Sequence, residues 1–119
     1  MRAAALALFL TASACAPKAE PSRPPLTLDC GEGFEALSAA IAAEPGLKLA
    51  DAPGEPYGFY NSADGSVSFV VTRPGAPAHP AVLRQAAAGG RTETTGCAFG
   101  DRAAYAQLMA YVGSLAGAR

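Results

Sequence analysis

The chain has 119 residues, half of them hydrophobic, with 10 acidic against 9 basic side chains, one His, three Cys and no Trp, a length that suits one domain rather than two. A near-neutral balance with no cluster of Lys and Arg leaves no electrostatic footprint for nucleic acid, so that class of partner is set aside. No run of eighteen or more apolar residues is present to cross a membrane as a helix.

The amino end is Met1-Arg2 followed by the apolar run Ala3 to Leu10 and the small residues Thr11, Ala12, Ser13 and Ala14. One positive charge, a short apolar stretch and small residues make an export signal over residues 1–14, too short for a bilayer anchor. Ala12-Ser13-Ala14-Cys15 resembles the lipobox of bacterial lipoproteins, with Ala12 where leucine is usual. The resemblance covers residues 1–15 only, and no family is recognised for the rest. It implies that the signal is cut before Cys15 and that this cysteine carries lipid, anchoring the protein to a membrane of the bacterial cell envelope on its periplasmic or extracellular side. Ala12 and Ala14 also satisfy the A-x-A rule for ordinary cleavage, which would give a soluble secreted or periplasmic protein. Residues 15–25 then form a stalk, since four prolines fall between Ala16 and Pro25 with no apolar pattern. Such a segment reaches roughly 30 Å when extended. The expected domain is residues 26–119.

Three cysteines leave one unpaired in an exported protein. If Cys15 carries lipid as the resemblance implies, Cys30 and Cys97 remain as an even pair in an oxidising compartment, and a disulfide between them is expected. Neither metal nor cofactor is expected, because one His with two distant Cys falls short of the four ligands a metal site wants.

Along the domain, Leu26-Thr27-Leu28 suggests a short strand. Phe34, Leu37 and Ile41 recur at helical spacing and predict a helix from Glu32 to Glu44, ended by Pro45-Gly46. Leu47 to Asp51 adds a short strand. The strongest β pattern is Tyr57 to Thr72, interrupted by Ser62-Ala63-Asp64-Gly65-Ser66. A two-residue Asp64-Gly65 turn pairs positions summing to 129 and puts Phe59 and Phe69 on opposite faces. A three-residue loop with a left-handed Gly65 pairs positions summing to 128 and gathers Tyr57, Phe59, Val67, Phe69 and Val71 on one face. The second is expected, because one buried face fixes register. The proline-rich stretch from Arg73 to Pro80 is a loop. Ala81 to Ala88 fits either a short helix or the first strand of a hairpin turning at Gly89-Gly90 into residues 91–98, and the hairpin is favoured because a strand needs a neighbour. Asp101 caps a final helix with an apolar stripe of Tyr105, Leu108, Met109, Val112 and Leu115. The expected fold is a two-layer α+β domain, with about four antiparallel strands packed against an amino-terminal and a carboxy-terminal helix and one disulfide.

Chemistry is sparse. His79 is the natural suspect for proton transfer, yet the loop that holds it supplies no partner at a recognisable spacing, and no G-x-S-x-G accompanies the serines. Asp29, Glu32 and Glu35 read as acidic residues at a helix start, favourable to the helix dipole. Tyr57 and Phe59 are assigned to the core, whereas Tyr60, set on the opposite hairpin face with Val70, joins His79 and Arg84 as a candidate contact patch. The functional expectation is a non-enzymatic, lipid-anchored envelope domain with an interaction or structural role, met by an envelope protein partner. The alternative is a small periplasmic ligand-binding module or hydrolase using the His79 loop.

Overall fold

A computed structural model describes residues 26–50 and 53–117, so the export signal, Cys15, the stalk and Asp51 lie outside the described residues. A 3-10 turn at Cys30–Glu32 leads into helix α1, Phe34–Ala43. Five strands follow, β1 Leu47–Ala50, β2 Tyr57–Ser62, β3 Val67–Thr72, β4 Ala81–Ala88 and β5 Arg91–Ala98, and helix α2, Arg102–Gly117, ends the fold. The strands form one antiparallel sheet in chain order. This is the expected α+β class with the expected Cys30–Cys97 disulfide, built on five strands rather than about four.

The layers differ from the expectation. Leu37 and Ile41 of α1 pack with Phe69, Val71, Val82 and Cys97, while Leu108 and Val112 of α2 pack with Val70, Ala81 and Leu83. Successive residues of a strand point to opposite faces. The two helices therefore cover opposite sides of the sheet, and the domain has three layers, helix, sheet and helix. With both faces buried, β3 and β4 carry unbroken apolar runs, Val70-Val71 and Ala81-Val82-Leu83.

The same fact decides the first hairpin. Tyr57 pairs with Thr72 and Phe59 with Val70, the 129 register, so the expected gathering of five apolar residues on one face is corrected. Tyr57 and Phe59 join the α2 side, whereas Tyr60, Val67, Phe69 and Val71 serve the α1 side. The preference for a single apolar face presumed that the other face was wet, and here α2 covers it.

Other boundaries follow local chemistry. Gly33 has φ of +85°, so the helix starts at Phe34 instead of Glu32. Asp29 caps the preceding 3-10 turn by accepting from the Gly31 N–H at 3.0 Å, and Glu32 belongs to that turn rather than to the face of α1. Leu26 and Leu28 pack on the α1 cluster without joining the sheet. Ala81–Ala88 is a strand, and Gly89 and Gly90, at φ of +59° and +76°, make the tight turn into β5. Asp101 Oδ1 accepts from the Ala104 N–H at 3.0 Å, capping α2 as expected. Across the α2 face, buried Gln85 donates to the Val112 carbonyl at 2.8 Å, a polar link between sheet and helix. Gly96 is the close approach beneath α2, where a Cβ would collide with the Tyr105 hydroxyl and the Val82 carbonyl.

Candidate functional site

Thr72, only 2% exposed, closes β3. Its hydroxyl accepts from the Ala81 N–H at 2.8 Å and lies 3.1 Å from the Ala81 carbonyl and 2.9 Å from His79 Nδ1. A hydroxyl has one proton and here two acceptors compete for it. When the proton goes to the Ala81 carbonyl, Nδ1 is the donor to Thr72. The ring also stands edge-on to Phe34, with centroids 5.1 Å apart. The proline-held loop predicted from residues 73–80 thus fixes His79 against both α1 and the sheet.

His79 lines a cavity of about 290 Å³ at the amino-terminal end of α1, together with Phe34, Glu35, Ser38, Tyr60 and Arg73. Its floor includes Gly58, where an added Cβ would meet the Tyr60 ring at 3.2 Å and the Arg73 guanidinium at 3.5 Å. The missing side chain is what lets Tyr60 and Arg73 converge. Ring faces, a hydroxyl, a guanidinium and a carboxylate around so small a space suit binding of a small polar molecule. For hydrolysis by the usual triad, Nδ1 would be held by a carboxylate. Here Nδ1 is engaged by a threonine hydroxyl.

The structure brings Tyr60 and His79 together and separates them from Val70. Val70 is 3% exposed in the α2 core and Tyr60 is on the other face, so the four-residue contact patch is corrected. That patch depended on the 128 register and is divided by the 129 one. Arg84 lies on the Tyr60 face but in a second cavity, of about 580 Å³, at the opposite end of α1. Sequence reasoning missed Phe34 and Arg73 beside His79, although the short chain distance from Arg73 to His79 across one loop was a usable signal.

At the first hairpin tip, Asp64 Oδ1 accepts from the Ser62 hydroxyl at 2.8 Å, the Ser66 hydroxyl at 2.7 Å and the Ser66 N–H at 3.0 Å. These bonds, led by the one from the Ser66 N–H, lower its pKa to about 2. The three polar side chains serve the turn itself. Among the described residues, no three His, Cys, Asp or Glu side chains converge as a metal site, and no helix is long and apolar enough to cross a membrane. No protein-family model matches the chain, and no curated protein or solved structure is significantly similar to it.

Proposed function

We propose that this chain is a lipid-anchored domain of the bacterial cell envelope, held away from the membrane by residues 16–25 and acting by interaction rather than catalysis. The observation that carries the reading is the Cys30–Cys97 disulfide. It accounts for two of three cysteines, suits an oxidising compartment, and leaves Cys15 as the odd thiol at the end of an export signal. Metabolic labelling with an alkyne fatty acid tests the anchor. The wild type is expected to take up label and Cys15→Ser to take up none, and equal labelling of both would overturn the proposal.

A second reading, a periplasmic module that binds a small ligand, is favoured by the His79 cavity. Its aromatic walls and the Arg73 guanidinium support binding, while the Thr72 contact at Nδ1 argues against a hydrolase. Chemical-shift mapping with a library of small metabolites distinguishes the two readings. Perturbations confined to Phe34, Tyr60 and His79 would support the module, and none at those residues would count against it.

A further inference from the structure

The walls of the cavity beside His79 are held in place before any ligand arrives. The Arg73 N–H donates to the Pro56 carbonyl at 2.8 Å, which anchors that residue beside β2. Phe34 makes edge contacts with both His79 and Phe99, at centroid distances of 5.1 and 6.4 Å, and His79 is tied to Thr72 at 2.9 Å. Gly58 is buried within β2 and does not have the left-handed φ that favours glycine. Its missing side chain therefore serves space rather than backbone conformation, and a strand glycine of this kind marks a place where something approaches the sheet closely.

Glu35 and Arg73 give the cavity one carboxylate and one guanidinium. Among the described residues, no ion pair joins them to each other or to another side chain. A plain anion would meet Glu35 as well as Arg73, and a plain cation would meet Arg73 as well as Glu35. A ligand that carries both charges uses both, with its carboxylate in the fork of the guanidinium. At about 290 Å³ the space is no larger than the smallest pockets that take drug-sized ligands, roughly 300 Å³, which suits one amino acid rather than a peptide. The Phe34 and Tyr60 rings offer an apolar side chain its contact area.

We propose that this cavity binds a free α-amino acid with an aromatic side chain, its carboxylate on Arg73, its ammonium on Glu35 and its ring against Phe34 and Tyr60. The proposal rests on the second reading above, that the His79 cavity takes a small ligand, and names the class of that ligand.

The test uses the full chain carrying Cys15→Ser, so that no lipid is attached. It is titrated by NMR with L-phenylalanine and with analogues that each lack one charge, 3-phenylpropionate and phenethylamine. L-Phenylalanine is expected to shift the Phe34, Tyr60 and His79 resonances to saturation, and each analogue to bind about tenfold more weakly or worse. Arg73→Gln and Glu35→Gln replace exposed side chains and should leave the circular dichroism unchanged. Arg73→Gln is expected to remove the preference for phenylalanine over phenethylamine, and Glu35→Gln the preference over 3-phenylpropionate. An analogue that binds as tightly as phenylalanine would overturn the proposal and leave the small-ligand reading standing, as would variants that keep both preferences. No shift at these residues from any of the three compounds would also overturn the proposal, and the small-ligand reading falls with it only if the metabolite library leaves them unmoved too.

Discussion

The two faces of the sheet are built from similar residues but finished differently. On one side α2 runs for sixteen residues, long enough at about 24 Å to follow the strands, and Leu108 and Val112 bury Val70, Ala81 and Leu83. On the other, α1 has ten residues, and each of its ends borders a cavity, with His79 at one and Arg84 at the other. Helix length, more than apolar composition, separates a face that serves stability from one with room for a ligand. The short face also carries the disulfide, which compensates for limited apolar burial in a small domain.

The largest effect that would sharpen this comparison is loss of the disulfide. Its ends are 67 positions apart, so the chain-entropy relation gives a stabilisation of roughly 4 kcal/mol as an upper figure. Cys30→Ser is expected to lower the urea midpoint of unfolding, with reductant shifting the wild type to the same place and leaving the variant unmoved. A reductant-insensitive wild type would contradict the bridge.

Truncation of the two cores comes next. Ile41→Ala on the α1 face and Leu108→Ala on the α2 face are each expected to cost about 3 kcal/mol, since both side chains are buried. A large cost for one and none for the other, measured by chemical denaturation, would break the three-layer description and restore a two-layer one.

Thr72→Val tests the junction that holds His79. It keeps the shape but leaves the buried Ala81 N–H without its partner, and a loss of about 2 kcal/mol is expected. The His79 ring resonances should also move, because Nδ1 loses its hydroxyl contact. Unchanged ring shifts would remove Thr72 from the cavity's support.

The smallest effect belongs to the exposed hairpin tip. Asp64 has its pKa lowered from 3.8 to about 2 by hydrogen bonds to the Ser66 N–H and to the Ser66 and Ser62 hydroxyls. A depressed carboxylate contributes stability above its unfolded value, and that contribution is lost as pH falls from about 4 through about 2. An NMR titration should place the Asp64 midpoint near the lower value, and Ser66→Ala should raise it. A midpoint at the ordinary aspartate value would mean that the serine contacts do not form in solution.

Much of the architecture was legible because local rules agreed with the fold. The stripe of Leu37 and Ile41, the Asp101 cap, the Gly89-Gly90 turn and the cysteine pairing each had a mechanism that tertiary packing did not overrule. The errors in register and layering had one cause. Giving two helices with apolar stripes a single sheet face calls for a larger apolar surface, which puts Phe59 with Phe69. The unbroken Val70-Val71 and Ala81-Val82-Leu83 runs indicated burial on both sides, since alternation with polar residues is expected only when one face is wet. The cavities were less accessible, because they arise where α1 stops and where Gly58, Ala86 and Ala88 leave space. Hydrophobic periodicity reports the residues that fill space, not the volume left behind.

The position of the sulfur bridge has a mechanical consequence. Cys30 lies four residues beyond Leu26, and Cys97 lies near the end of the last strand, shortly before α2. Tension applied between the two ends of the chain passes from Cys30 directly to Cys97 and does not load the backbone between them. A pull on the amino terminus can unthread the short lead from Leu26 to Asp29, together with its contact to Arg84, but it cannot peel α1 or β1 to β4 away in sequence. The domain is wired as a closed loop hanging beside the line of force, so atomic-force extension under oxidising conditions should release only the length of the two tails and α2.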